Sequence, residues 1–262
     1  MLHMNRREYP LDAPAYQVFS MHPDKDDAFW NEFYSLMSRH PHSHRHILSH
    51  WPAYVRSSSL VRFLGHYELF KSQLELPGDI VELGVSRGIS FFTFHKLMEI
   101  FSATDVYKKI YGFDSFEGLT DINEKDSRNA GHGSWSAKDV EDEIFGLQKL
   151  FNFDNVVSPE RSRIIKGRIQ DTLPKFVQES AGIRISLLHF DLDLYEPTKF
   201  ALEQLWDLIV PNGIIVFDEY ANSYWQGETK AFDEFCAERN IKVELKRFSW
   251  CPAPSAFCVK PS

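Results

Sequence analysis

The chain has 262 residues, 43% of them hydrophobic and 25% charged, and a formal net charge of -8, which fits one large α/β domain with an added segment. The acidic balance speaks against nucleic acid as a partner, because a polyanion is repelled where no strong basic patch is present. No apolar run reaches membrane-spanning length, the opening MLHMNRREYP lacks a signal-peptide core, and Cys236, Cys251 and Cys258 are too few for a disulfide framework or zinc cluster, so a reduced, cytoplasmic, membrane-free setting is expected.

Residues 1 to about 25, with Pro10, Pro14 and Pro23, predict an irregular arm. Asp26 to Met37 predicts a helix whose apolar face carries Phe29, Phe33, Leu36 and Met37. The tract from Arg39 to Pro52 holds His40, His42, His44, His46 and His50 and reads as a polar loop rather than a metal tract. Ser57 to Leu74 is a further helix, with Leu60, Phe63, Leu64, Tyr67, Leu69 and Phe70 as its apolar set, closed by Pro77-Gly78. Residues 1–76 are thus expected to form an N-terminal helical cap that includes Tyr54, and residues 77–262 one α/β domain.

That domain opens with a strand at Asp79 to Leu83, the turn Gly84-Val85-Ser86-Arg87-Gly88, and a helix from Ser90 to about Phe101. A second strand, Lys109 to Phe113, ends at Asp114 and leads through a long polar loop to a helix over Lys138 to Leu150. The third strand is Arg163 to Lys166, followed by a helix with Asp171 as N-cap and Pro174 in its first turn. Ile185 to Tyr220 then gives two apolar runs joined by a helix. The first ends in Asp191 and Asp193; the second, after Pro211-Asn212-Gly213, ends in Asp218 and Glu219. A helix over Gly227 to Arg239 and a hairpin of Lys242 to Phe248 with Ala256 to Val259 complete the chain. Repeated β-α steps imply a doubly wound, mostly parallel sheet, whose ligands bind at the carboxyl ends of the strands. Asp191, Asp218 and Glu219 are expected to meet at that edge around a divalent metal.

Glu82, inside the first strand, and Asp114, ending the second, suggest a nucleoside-type cofactor. A carboxylate at the Asp114 position suits a ribose diol, in NAD or in S-adenosylmethionine. The turn spacing Gly84-x-x-x-Gly88 is not the G-x-G-x-x-G of a pyrophosphate binder, and Glu82 suits a cationic ammonium and sulfonium better than a pyrophosphate. S-adenosylmethionine is therefore favoured. A nucleotide-dependent oxidoreductase, and a protein of the same fold that binds the cofactor without turnover, stand as alternatives.

Five stretches in order carry a family resemblance: Asp79-Ile-Val-Glu-Leu-Gly-Val-x-Arg-Gly-x-Ser90, Tyr111-Gly-Phe-Asp-Ser-Phe-Glu-Gly-Leu119, Asp171-Thr-Leu-Pro174, Asp191-x-Asp-Leu-Tyr-Glu-x-Thr198 and Asp218-x-Tyr220. Over residues 78 to 235 the chain resembles the macrocin O-methyltransferase family of class I S-adenosylmethionine-dependent enzymes. The resemblance implies a Rossmann-like sheet of seven strands with one antiparallel near the C-terminus, a divalent metal, usually magnesium (manganese being the substitute), and a sugar or other polyol hydroxyl as methyl acceptor. It implies that Glu82, Gly84, Gly88 and Ser90 line the methionine part of the cofactor, that Asp114 holds the ribose beside Ser115, and that Gln170 contacts the adenine, with Trp135 and Ser136 over it. It places the metal on Asp191, Asp218 and Glu219, the last a departure from the family's Asp-Asp pair. Leu194 stands where related catechol-type enzymes carry a lysine base, which leaves Asp191 as the expected base and His189 second. Asp193 is expected to cap the helix near Pro197, Tyr220, Tyr224 and Trp225 to wall the substrate, and the N-terminal helices to support a homo-oligomer.

Overall fold

The computed structural model describes residues 23–40, 42–127, 130–155 and 160–261. The expected N-terminal arm lies outside these residues, apart from its last three positions, which open the first helix. Two compact units divide between Leu60 and Val61.

The first unit contains α1 (Pro23–Arg39), α2 (His44–Ser49) and a single 3-10 turn, Trp51–Ala53. The apolar face of α1 lines a cavity with residues 53–57, through Phe29, Phe33, Leu36 and Met37. Arg56 lies 4.5 Å from the centre of the Phe29 ring. The histidine tract, expected as a polar loop, is helical over His44–Ser49. Ser43 Oγ accepts from the His46 amide at 3.2 Å and caps α2. Spaced four apart, His42, His46 and His50 fall on one face, with ring centroids 4.3 and 4.4 Å apart.

Helix α3 (Ser57–Gln73) runs from the first unit into the second. It buries Gly65, His66, Leu69, Phe70 and Gln73, and leaves Leu64 41% exposed. The face expected from its apolar residues is thus rotated toward polar ones. Gln73 finds its partner in Ser186 Oγ at 2.8 Å; His66 finds none.

Among the described residues the sheet of the second unit has six strands: β1 (Asp79–Leu83), β2 (Ile110–Asp114), β3 (Ser162–Lys166), β4 (Ile185–Phe190), β5 (Ile209–Phe217) and β6 (Ala256–Val259). Their order is β3-β2-β1-β4-β5-β6, with β6 alone antiparallel. The doubly wound parallel sheet and its antiparallel C-terminal edge agree with expectation. The seventh strand does not form: residues 242–248 touch β6 through one bridge, Lys246 with Phe257. Lys242, Glu244, Lys246 and Arg247 put charge along this segment, as edge segments commonly do.

Helices α4 (Ile89–Phe101), α5 (Glu141–Asp154), α6 (Ile169–Glu179), α7 (Tyr195–Leu205) and α8 (Gly227–Arg239) connect the strands. Three local expectations are corrected. Asp171 lies within the first turn of α6, whose N-cap is Arg168, because the chain enters the helix directly from the Gly167 turn; Pro174 is therefore interior. Asp193 does not cap α7: its φ is +61°, and the Tyr195 amide donates instead to Asp126 Oδ1 at 2.6 Å. Pro211-Asn212-Gly213 is a bulge inside β5 rather than a preceding turn, since Ile209 pairs with Ile185 and Ile214 with Leu187.

Alternation along the strands divides the core into two layers. Val81, Leu83, Leu188, Phe190, Ile215 and Phe217 join the cluster that includes Leu173, Leu202 and Phe235. Ile80, Leu187, Ile214 and Val216 join Leu69, Phe70, Phe91 and Phe94 of α3 and α4. Glu82 and His189 are register partners on β1 and β4 and share the parity of this second layer. They therefore face α3.

The crossing at the end of β1 is tight. A Cβ on Gly84, whose φ is +95°, would lie 1.9 Å from the Asp191 carbonyl oxygen. Gly84→Ala is expected to lower stability by about 2 kcal/mol or more, through strain at a left-handed position together with a backbone clash. Urea unfolding of the two proteins checks this, with Gly182→Ala, where nothing lies within 4 Å of the added Cβ, as the milder comparison.

Candidate functional site

Strand order reverses between β1 and β4, so the sheet's ligand crevice lies at their carboxyl ends. The residues gathered there come from the turn after β1, the end of β2, and the ends of β4 and β5.

On the β1 side, Gly84 and Gly88 have φ values of +95° and +80°, which only glycine adopts without strain. Gly88 starts α4. Asp114 fastens this turn: its Oδ2 accepts the amides of Val85 at 2.8 Å and Ser86 at 2.6 Å, and its Oδ1 accepts that of Phe116 at 2.6 Å. Burial raises its pKa, and the same three amides oppose the rise. Ser115 Oγ accepts the Glu117 amide at 3.1 Å, holding the next turn.

Glu82 is fully buried. Ser90 Oγ donates to its Oε1 at 2.7 Å, while Oε2 has no partner. Burial pushes its pKa up to about 8, with the Ser90 hydrogen bond and Arg62 acting in the opposite direction. A buried carboxylate with one satisfied oxygen is a receptor for a cationic group.

At the ends of β4 and β5, one guanidinium joins two acids. Arg62 of α3 donates through Nη2 to Asp191 Oδ2 at 2.9 Å and through Nη1 to Asp218 Oδ2 at 2.8 Å. The pair is asymmetric. Burial and the Asp218 charge raise the Asp191 pKa, whereas Asp218, despite its burial, is held below the usual carboxylate range by Arg62 and His189. Burial alone would lower the Arg62 pKa, but Asp218 and then Asp191 outweigh it.

Behind this fork lies a buried polar cluster. His66, one turn after Arg62 on α3, packs its ring 5.4 Å from that of His189. His189 Nε2 is 3.5 Å from Asp218 Oδ1. Both nitrogens of each imidazole and Asp218 Oδ1 are buried without a hydrogen-bond partner. Ligand atoms of His66, His189 and Asp218 lie within 4.8 Å of one another, which makes this trio, among the described residues, a candidate cation site. Burial, then His189 and Arg62, drives the His66 pKa well down, leaving a neutral ring able to ligate.

Glu219 sits apart from Asp191 and Asp218 in its bonding. Its carboxylate accepts from Asn222 Nδ2, and its pKa is pushed up to about 7 by burial and Asp218. Fully buried Glu228 of α8 accepts the Leu192 amide at 3.1 Å and the Glu219 amide at 3.0 Å, so one carboxylate ties together the loops after β4 and β5. Farther out, Gln170 Nε2 donates to Asp121 Oδ2 at 3.1 Å, and Arg168 pairs with the same carboxylate. Ser136 Oγ donates to the Phe116 carbonyl at 3.1 Å. The Trp135 and Trp225 rings are 6.2 Å apart. The Tyr220 ring packs on Phe217 and Phe232 and its hydroxyl donates to Asp233, while Tyr224 is exposed.

The structure thus brings Asp191 and Asp218 together on one cation, and sets Glu82 with Ser90 beside the glycine turn. Sequence reasoning missed Arg62, His66 and Glu228. Arg62 and His66 carried one signal, a spacing of four that places both on one helical face beside Leu69 and Phe70. Glu228 carried none.

The family model described as macrocin-O-methyltransferase (TylF) matches residues 67–253. A tetracenomycin-C 4'-O-methyltransferase of Streptomyces olivaceus, acting on an 8-demethyl-8-(2,3-dimethoxy-alpha-L-rhamnosyl) form, is 29% identical over 152 residues, 56% of this chain and 54% of the relative. Demethyldecarbamoylnovobiocin O-methyltransferase of Streptomyces niveus is 29% identical over 174 residues, 65% of this chain and 62% of the relative. The alignments therefore span under two thirds of either relative. A structure of the calicheamicin methyltransferase CalS11 superposes with a TM-score of 0.79 at 25% identity, covering 95% of this chain and 96% of that one. Its apo form, titled a TDP-rhamnose 3'-O-methyltransferase, gives 0.75 at 26% identity, over 95% and 98%.

Glu82 generates a prediction about pH. Its pKa rises from 4.5 in the unfolded chain to about 8 in the fold, so between these values the folded state holds more protons. The Glu82 contribution to stability accordingly falls as pH rises through that window and levels off above it. Glu82→Gln is expected to gain stability relative to the parent by about 3–5 kcal/mol between pH 4.5 and pH 8.5. Urea unfolding of both proteins across this range, without ligands, measures the difference.

Proposed function

The chain belongs to the TylF macrocin-O-methyltransferase family, and on that premise we propose that it moves the methyl group of S-adenosylmethionine to a hydroxyl of a sugar or related polyol. The observation that carries this reading is the unpartnered Oε2 of Glu82, fully buried at the strand-order reversal and beside the glycine turn. A carboxylate there suits the ammonium of the methionine moiety and would repel a pyrophosphate. Gly84 and Gly88 keep the adjacent backbone free of side chains, and Ser90 orients Glu82. Asp114 remains the reading for the ribose, reached with the lone pairs that the three backbone amides leave unused. Ser115 stands beside it, and Gln170 with Asp121 forms the reading for the adenine side. The sugar acceptor rests on the relatives: rhamnosyl and TDP-rhamnose appear in the names of two of them.

Methyl transfer forms an O–CH3 bond as the S–CH3 bond breaks, with the electron pair leaving on sulfur. The acceptor hydroxyl must lose its proton, and Asp191 is the proposed base. It stands at the crevice edge with its side chain 27% exposed, and its raised pKa suits proton uptake near neutrality better than that of Asp218.

A divalent cation fits the donor chemistry of the same edge. Asp191 and Asp218 already converge on one cation, and carboxylate oxygens suit magnesium or manganese. Asp191, Asp218 and, through its longer side chain, Glu219 would hold it. Such an ion, when bound, lowers the pKa of a coordinated hydroxyl. A second reading places a transition metal on His66, His189 and Asp218, favoured by the unpartnered imidazole nitrogens. The N-terminal helices are proposed to cap the substrate and to support a homo-oligomer.

Calorimetric titration tests the cofactor reading. S-adenosylmethionine is expected to bind, NAD is not, and Glu82→Gln is expected to weaken binding by about tenfold or more through loss of a buried charge pair. Binding of NAD in place of S-adenosylmethionine would overturn the reading. Asp191→Asn is expected to lower kcat by about a hundredfold or more, the usual scale for loss of a general base, with cofactor affinity little changed. A methyl-transfer assay on TDP-linked deoxysugars reads the loss.

A further inference from the structure

Arg62 is the cation of this site, and the function proposed above gives it no role. Its fork spans two strands: Nη2 to Asp191 after β4 at 2.9 Å, Nη1 to Asp218 after β5 at 2.8 Å. These are the oxygens a hard divalent ion would take. We propose that Arg62 is a resident cation lock on the metal position, so that a divalent ion enters between Asp191 and Asp218 only by displacing its guanidinium. The inference rests on the divalent-cation reading given under the proposed function.

Three observations support it. First, the acids need a cation whether or not a metal is present. Arg62 places its guanidinium between Asp191 and Asp218, hydrogen-bonded to both. Without it, neighbouring strand ends would carry unrelieved like charge. Second, the lock is not a closed structural cage. Arg62 Nε is buried without a partner, so part of the guanidinium gains nothing from its present position. Arg161 shares an unpartnered Nε but spends its two terminal nitrogens on four backbone carbonyls, whereas those of Arg62 go to two carboxylates. Third, the fork is open on one side. The Arg62 and Asp191 side chains keep 25% and 27% of their surface, while Asp218 keeps 4%. An ion can reach Asp191 from solvent and can reach Asp218 only where the guanidinium now lies.

A guanidinium and a divalent ion on the same two carboxylate oxygens would crowd and repel each other. Arg62 therefore sets the apparent metal affinity. It also keeps Asp191 and Asp218 aligned when no ion is bound, so the strand ends do not depend on metal for their geometry. A lysine would be a poorer lock: its ammonium is a point charge without the planar fork that spans two carboxylates.

The experiment is a titration of Mn2+ into the full-length wild type, Arg62→Gln and Arg62→Lys, with free ion followed by electron paramagnetic resonance and folding checked by circular dichroism. Arg62→Gln is expected to bind Mn2+ about tenfold more tightly or better, as relief of a like-charge contact implies, with Arg62→Lys between it and the wild type. Chelator should leave the wild-type Tm unchanged, and Mn2+ should raise the Tm of Arg62→Gln. If Arg62→Gln does not fold, the comparison of Arg62→Lys with wild type decides in the same direction. Equal or weaker binding in the variants overturns the lock and leaves the metal reading standing. Absence of binding in all three proteins overturns both. Nitrogen hyperfine coupling to the bound manganese would place the ion on His66 and His189, which overturns the lock at the acid pair.

Discussion

Asp191 and Asp218 end neighbouring parallel strands, and parallel pairing leaves their carboxylates side by side at one edge of the sheet. The Arg62 fork between them satisfies both at once. Like charges so placed are stable only with a cation between them. Much of the second unit is arranged around meeting that condition. Helix α3 turns a polar face inward, which brings Arg62 to the acids and His66 to His189. Gln73, on the same face three turns later, accepts from Ser186 through Oε1. Leu64 is left exposed as a result. An apolar residue in water costs less than a buried carboxylate pair without a counter-charge.

The remaining acids divide by what they accept. Asp114, Asp126 and Glu228 take backbone amides, two or three each, and fix loops: the turn after β1, the start of α7, and the paired loops after β4 and β5. Amide donors to a carboxylate are charge-assisted and hold a loop without a bulky contact. Glu82 differs. It takes one hydroxyl donor and keeps an oxygen free in a place that water does not reach. An acid used for structure is satisfied within the protein, and an acid used for binding is left short. By that measure Glu82, like Asp218 with its unpartnered Oδ1, is an acid of this edge left free for a ligand.

How far the sequence showed these things depends on how local each signal was. The parallel sheet, the glycine turn, the strand-end acids and the antiparallel last strand were legible, because each rests on a pattern of a few consecutive residues. The seventh strand was over-read: residues 242–248 alternate like a strand, yet their charges suit an edge that pairs at one point only. The Pro211-Asn212-Gly213 bulge was read as a turn because the same residues serve both. Asp171 and Asp193 looked like helix caps by type and position, but α6 starts after Arg168 without a side-chain cap bond, and the first amide of α7 goes to the distant Asp126. The Arg62 fork was illegible for a simpler reason. Its partners lie 129 and 156 residues away, and no local pattern reports a contact of that span.

Glu219 shows what the longer side chain changes. With an aspartate in its place, the carboxylate would sit one methylene nearer the backbone. Here the extra reach lets it accept from Asn222, three residues on, while its own amide is held by Glu228. Its pKa is pushed up to about 7, so near neutrality it carries only part of a negative charge. The edge therefore presents one firmly ionised acid, Asp218, with Asp191 and Glu219 both raised beside it. A single guanidinium can neutralise such a set, whereas three fully ionised carboxylates would call for a divalent ion. The lengthened acid and the arginine fork are thus consistent with each other: each lowers the negative charge left unmatched at this edge.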